Sequence, residues 1–193
     1  MDELRRLLAG YQVSQAVHVA AVLGIADLLA DGPRTSDELA EATGTDPDAL
    51  FRLLRALDVV EVVEADGDRT FSLGRLGQGL RSDAPDSLAG WAAFVGRKFY
   101  WEAWAHLIDS VRSGENAFRI AHGTSVWEHR ERHTDHRARH RAGQLDLPRN
   151  CFKALGRLQQ REQAPLLLLV RELQAGDSGI RFAARHPAAR RSA

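Results

Sequence analysis

Cysteine is almost absent from this chain. Cys151 is the single one in 193 residues, which excludes an internal disulfide and a multi-cysteine zinc cage. Long apolar runs are missing too: Leu166 to Val170 is wholly aliphatic, yet far short of the ~20 residues a spanning helix needs. The opening MDELRRLLAGYQ sets acids ahead of arginines and reaches no continuous apolar region, so it does not read as a signal peptide. What is present, 44% hydrophobic and 27% charged residues, is the balance of a soluble globular protein. The cytoplasm is the expected compartment, and no membrane partner is expected.

An overall excess of one charge is also lacking, with 26 Lys+Arg against 26 Asp+Glu, but the balance conceals two opposed parts. Up to Glu128 there are 12 basic residues against 20 acidic ones, and from His129 onward 14 against 6, so the parts carry net −8 and +8. All four tryptophans and both tyrosines precede residue 128, whereas Phe152 and Phe182 are the only aromatics beyond it. The boundary near 128 is the main organisational feature of the chain.

Residues 3 to 30 place Leu4, Leu7, Leu8, Tyr11, Val13, Val17, Ala20, Ala21, Ile25, Leu28 and others at spacings of three and four. This predicts two helices interrupted near Gly24. So much apolar surface exceeds one ordinary stripe, which leaves two readings: a plain core helix, or a face buried against another subunit. Residues 32 to 74 carry the clearest local grammar. Thr35 with Glu38 is a capping-box signature, and the helix it starts should stop at Gly44. Asp46 followed by Pro47 is an N-cap with proline at the first helical position, opening an amphipathic helix through Leu50, Phe51, Leu53, Leu54 and Leu57. The β-branched Val59, Val60, Val62 and Val63, the Asp66-Gly67 turn and a second β-rich segment, Arg69 to Leu73, predict a hairpin. Helix, tight turn, helix, hairpin is the layout of a winged helix.

That layout raises DNA binding, which depends on cations facing phosphates. The would-be reading helix offers Arg52 and Arg55 between acids, and the hairpin tip sets Glu64, Asp66 and Asp68 against Arg69. A field of this sign repels a polyanion. A transcriptional regulator with a basic tail is therefore the alternative, and nucleic acid is not the expected partner.

Residues 75 to 93 read as a connector broken by Gly77, Gly79 and Pro85. Beyond it, Phe99, Tyr100, Trp101, Trp104, Leu107, Ile108 and Val111 fit one broad helical face ending at Gly114. Such a face builds a core or lines a cavity for a flat ligand. His106 reads as a packed or exposed histidine rather than a catalytic one.

The order of these segments resembles the amino-terminal domain of the S-adenosylmethionine-dependent small-molecule O-methyltransferases of bacterial polyketide and antibiotic pathways and plant phenolic metabolism. The stretches that carry the resemblance are AVLGIADLLADGPRTSDELAEATGTDPDALFRLLRAL (21–57), FSLGRLGQGLRSD (71–83) and WEAWAHLIDSVRSGENAFRIAHGTSVWEH (101–129). The resemblance implies a homodimer formed through the amino-terminal helices and a helix-turn-helix not used on DNA. It also implies that Phe94, Phe99, Trp101 and Trp104 are substrate-binding residues in the wall or rim of a pocket for a small aromatic acceptor. His122-Gly123 falls in the turn before the family's linker helix. In such relatives a Rossmann-like domain follows, with an Asp-x-Gly-x-Gly-x-Gly type loop for the cofactor. From His129 to Ala193 no such loop is legible, and the pair Gly176 and Gly179 lacks a preceding β-branched strand. The expectation is therefore that this chain holds no catalytic residue, cofactor or metal of its own, S-adenosylmethionine being implied for full-length relatives.

Three readings stand for residues 129 to 193. His129, His133, His136 and His140 recur at helical intervals and could chelate a metal, though arginines alternate with them. The net +8 could serve nucleic acid or an anionic membrane. A reading-frame shift in GC-rich coding DNA would also produce such arginine, alanine and histidine richness. The expected fold class is mainly α: a winged helix-turn-helix-like dimerisation domain with a small β-hairpin, plus a basic, partly helical or disordered carboxy-terminal segment. The expected divisions are an arm and dimerisation domain (1–84), an aromatic helical segment completing it (85–128), and a basic segment (129–193).

Overall fold

A computed structural model of the chain describes residues 2–132. Helix α1 (Asp2–Leu23) opens with Asp2 and Glu3 in its first turn, where carboxylates favour the positive end of the helix dipole. It ends where Gly24 takes a left-handed conformation at φ 67°, and the short α2 (Ile25–Leu28) continues at a new angle. The interruption predicted near Gly24 is thus present. Strand β1 (Arg34–Thr35) leads into α3 (Ser36–Thr43), whose start is the predicted capping box: Thr35 Oγ1 accepts from the Glu38 amide and the Glu38 carboxylate accepts from the Thr35 amide. Gly44, at φ 64°, closes the helix. In α4 (Pro47–Asp58) the Asp46 side chain accepts from the Ala49 amide at 2.7 Å.

Strands β2 (Val63–Ala65) and β3 (Thr70–Leu73) form the hairpin, and β1 pairs with the other edge of β3, giving the antiparallel order β1-β3-β2. Ala65 and Arg34 both register with Phe71. Two details depart from the sequence expectation. Val59, Val60 and Val62 are not strand, because the chain turns sharply at Glu61 (φ 57°) before β2 begins at Val63, and Val59 is 82% exposed. Strand β1, two residues long and hidden before a capping box, adds a third strand that alternation could not reveal.

Leu39, Leu54, Leu57, Val63, Phe71 and Ile25 are the large fully buried side chains, so the core lies between α2, α3, α4 and the sheet. A short 3₁₀ turn (Gly77–Leu80) then leads to α5 (Ala89–Val95), α6 (Lys98–Ala105), α7 (Leu107–Ser113), α8 (Ala117–His122) and α9 (Val126–Arg132). The single apolar face expected over residues 99 to 111 is broken at His106, and Ile108 and Val111 are exposed. It is α8 that packs on α6: its Phe118, only 4% exposed, meets the Phe99 ring edge to face at 6.2 Å. Among the described residues no helix is long and apolar enough to cross a membrane.

Candidate functional site

Two features stand out, an uncovered apolar arm and a layer of aromatic rings. The carboxy-terminal half of α1 is packed, with Ala20 and Ala21 in the core. Its amino-terminal half is not. Leu4, Leu7, Leu8 and Tyr11 are 55%, 72%, 69% and 55% exposed. Four large apolar side chains at i, i+3, i+4 and i+7 make one continuous stripe, and a stripe of this kind on a water-facing helix marks an association surface.

The aromatic layer is tied to the packed half of the arm. Gln15 Nε2 donates to the carbonyl of Gly96 at 3.2 Å, and His18 Nδ1 lies 3.0 Å from the carbonyl of Ala92. A carbonyl only accepts, so Nδ1 of His18 carries the proton. Of the four residues assigned to an acceptor pocket, Phe94 and Phe99 meet edge to face with ring centres 5.8 Å apart. Trp101 instead faces Tyr11 of the arm at 6.3 Å, with its Nε1 buried and unpartnered, and Trp104 lies against Tyr100 at 6.4 Å. The three consecutive aromatics Phe99, Tyr100 and Trp101 step by about 100° around α6, so they serve three different neighbours.

Around Phe99 the structure adds groups that the pocket assignment did not include. Its ring stacks on His129 of α9 at 5.1 Å and meets Phe118 at 6.2 Å. His122 Nε2 donates to the Phe99 carbonyl at 2.8 Å, and its ring centre is 5.0 Å from that of His129. An open groove of about 420 Å³ lies here, lined by Arg97, Lys98, Phe99, Glu102 and His129. Of the four pocket candidates, Phe99 alone lines it.

The position of His129 depends on how α9 begins. Glu128 Oε2 accepts from Thr124 Oγ1 at 2.6 Å, from the Ser125 amide at 3.0 Å and from Ser125 Oγ at 3.1 Å. The Glu128 amide in turn donates to Ser125 Oγ at 3.3 Å. The Thr124 hydroxyl first, and then the Ser125 groups, hold the Glu128 carboxyl down at about 2. Ser125 to Glu128 is a capping box, legible as Ser-x-x-Glu in the sequence but overlooked there.

The metal reading has only His129 among the described residues; His133, His136 and His140 lie outside them. No group of three metal-ligating side chains is found among the described residues. The glycine-rich turn among the described residues does not fit S-adenosylmethionine. The one glycine-rich turn after a strand, Gly74 to Gly79, is filled by the protein itself: a Cβ on Gly74 or Gly77 would stand 2.5 or 2.1 Å from the backbone oxygen of Glu61 or Val62. These glycines permit close packing of two chain segments and leave no cradle for a phosphate or a nucleoside.

The described residues thus form a helical domain with a three-stranded sheet that carries an uncovered apolar arm and a layer of aromatic rings. Residues 5–82 match the O-methyltransferase dimerisation domain. The mitomycin biosynthesis 6-O-methyltransferase of Streptomyces lavendulae is 42% identical over 128 residues, covering 66% of this chain and 37% of the relative. The crystal structure of the 8-amino-8-demethylriboflavin dimethyltransferase of Streptomyces davawensis superposes with a TM-score of 0.69 at 31% identity, over 82% of this chain and 45% of that one. An O-methyltransferase from neocarzinostatin biosynthesis, in complex with S-adenosylmethionine and 2-hydroxy-5-methyl naphthoic acid, has a TM-score of 0.57 at 34% identity, over 65% and 39%. The chain therefore spans less than half the length of these proteins.

Proposed function

We propose that the described residues form the self-association domain of an S-adenosylmethionine-dependent methyltransferase acting on small aromatic natural products in the cytoplasm. Two copies join through the amino-terminal half of α1. The observation that carries this is the stripe Leu4, Leu7, Leu8 and Tyr11, exposed on a domain of a family named for dimerisation. Residues 1–84 supply the arm and the helix-turn-helix, and residues 85–128 complete the domain. Phe94, Phe99, Trp101 and Trp104 serve as wall or rim of the acceptor's pocket, Phe99 directly, Phe94 by packing against the Phe99 ring, and the two tryptophans by holding α6 in place. Cofactor binding falls to the remainder of a full-length enzyme. The acceptor atom is oxygen or nitrogen, since the matched proteins include an N,N-dimethyltransferase as well as O-methyltransferases.

The DNA-binding alternative is not favoured. Arg69, the hairpin cation nearest the reading helix, is engaged by Asp37 and Asp48 at 3.2 Å each.

Sedimentation equilibrium of the full chain tests the proposal. A dimer at micromolar concentration that becomes a monomer in the Leu7→Glu, Leu8→Glu double variant, with unchanged helical circular dichroism, is expected. Both side chains are solvent-exposed in the single chain, so the substitutions leave its core intact. A wild-type monomer, or a dimer indifferent to both charges, would overturn it.

A further inference from the structure

We propose that two copies of this chain pair arm to arm in antiparallel register, Leu4 of each resting on Tyr11 of the other and Leu7 on Leu8. The inference rests on the self-association proposed above, and it adds the direction, the register and the reach of the partner. It follows from where the stripe lies on α1. At about 100° per residue, Leu4, Leu7, Leu8, Tyr11, Gln15 and His18 fall within an arc of about 100°. The later members of that arc are the ones that meet the body of the domain: Tyr11 faces Trp101 at 6.3 Å, Gln15 bonds the Gly96 carbonyl and His18 the Ala92 carbonyl. Residues 2–8, by contrast, are all exposed. The arm therefore overhangs its own domain, and its bare side is the side that rests on α5 and α6 further along.

An overhang of this geometry accepts a second arm in one direction. A partner arm laid parallel against the bare side would carry its later residues into α5 and α6 of the first copy, which occupy that side from Tyr11 onward. Laid antiparallel, its later residues run away from them, past the first copy's amino-terminal end, and each body sits beyond the tip of the other's arm. The stripe is also built for reversal. Its spacings of three, one and three read the same in both directions. A two-fold axis between residues 7 and 8 therefore sets 4 against 11 and 7 against 8, and each contact occurs twice, as an isologous interface requires. Sliding one arm by four residues either way leaves two of the four stripe residues facing a polar side chain or nothing. Only the symmetric register takes all four, 55% to 72% exposed in the single chain, out of water together. In that register the partner's Leu4 arrives at Tyr11, whose ring is already against Trp101. Each copy thus finishes the edge of the other's α6.

The test is disulfide trapping in the full chain with Cys151→Ser, which removes the only native thiol. Leu4→Cys together with Tyr11→Cys is expected to move, under mild oxidation, to the mass of two chains on a non-reducing gel. Either substitution alone should stay at the mass of one chain. Two copies of residue 4, or of residue 11, lie seven residues apart along the paired arms, about 10 Å, beyond the ~7 Å between Cα atoms that a disulfide can span. For the same reason the double variant cannot close a bridge within one arm. Nitroxide labels at Asp2→Cys, Arg6→Cys and Val13→Cys, all on the back of the helix, measure the register with the stripe intact. The separation between copies should be longer at 2 and 13 than at 6 by about 4 Å, whereas parallel arms would give equal values. A single cysteine at 4 or 11 that traps itself, equal label separations, or no trapping of a double variant that is dimeric when reduced would overturn the register. Sedimentation of the wild-type chain keeps the two proposals apart. A monomer sinks the self-association reading and the register with it, and a dimer that fails the trapping or the distances sinks the register alone.

Discussion

A Cβ placed on Gly96 would stand 2.0 Å from Cγ of His18. The arm helix and the aromatic layer therefore meet ring against backbone, and glycine is required there for space. Its φ of −83° suits any residue, so alanine brings no backbone strain and would even gain about 0.4–1 kcal/mol by stiffening the unfolded chain. The overlap outweighs that gain. His18 cannot swing aside without giving up its 3.0 Å bond to the Ala92 carbonyl. Gly96→Ala should cost about 1–3 kcal/mol, the range for overpacking, read as a lower urea midpoint. An unchanged or raised midpoint would show that the contact yields.

The same argument predicts opposite outcomes two residues apart in the turn after β3. A Cβ on Gly77 would meet the Val62 carbonyl oxygen at 2.1 Å and Leu73 Cδ1 at 2.6 Å, whereas Gly79 has nothing within 4 Å. Backbone cannot rotate away as a side-chain tip can. Gly77→Ala should lower stability by about 3 kcal/mol or leave the chain unfolded, and Gly79→Ala should stay within about 0.5 kcal/mol of wild type. Equal thermal midpoints for the two variants would sink this account.

Much of this fold could be read from the sequence because its signals are local. Thr35 with Glu38 and the left-handed Gly44 fix where α3 begins and ends, and Asp46 with Pro47 fixes where α4 begins, using bonds within four residues. What could not be read depends on distant partners. Strand β1 exists only because Arg34 and Thr35 find Phe71 and Thr70 across the sheet. The break at His106 accompanies the packing of Phe118, from a helix further along the chain, against α6. Among the pocket candidates, ring type alone did not separate Phe99, which lines the groove, from Trp101, which faces Tyr11 of the arm. The cations Arg97 and Lys98 were passed over because they become neighbours of His129 only in three dimensions.

Arg69 pins the hairpin to the helix-turn-helix. From a left-handed backbone (φ 62°) it donates Nε to Ser36 Oγ at 3.1 Å, pairs with Asp37 and Asp48, and lays its guanidinium 4.4 Å from the centre of the Phe51 ring. A non-glycine residue in that conformation costs about 1–2 kcal/mol, so the contacts must offset strain. Each carboxylate pair is largely exposed and worth about 1 kcal/mol at most. Removing the side chain while keeping the strain is the worst case: Arg69→Ala should fall about 2 kcal/mol below wild type, and Arg69→Gly should recover about 1 kcal/mol of that loss. Alanine equal to or better than glycine would mean that the backbone strain is not real.

The last prediction concerns Glu128, the residue at which the charge of the chain reverses. Bonds from Thr124 and Ser125 hold its carboxyl at about 2, below the ordinary 4.5. A carboxyl that binds its proton less readily when folded adds stability that is full above the ordinary value and is withdrawn as pH falls through the depressed one. The start of α9 should therefore stay intact at pH 5 and loosen between about pH 4 and 2, the carboxyl carbon of Glu128 titrating near 2 by NMR. Thr124→Val combined with Ser125→Ala should return that midpoint towards 4.5. Because His129 follows directly and stacks on Phe99, the loosening should also reach the groove: the Phe99–His129 ring contacts should weaken over the same pH range, and in Glu128→Ala at neutral pH. Ring contacts that persist in Glu128→Ala would show that α9 is held by its packing and does not need its cap.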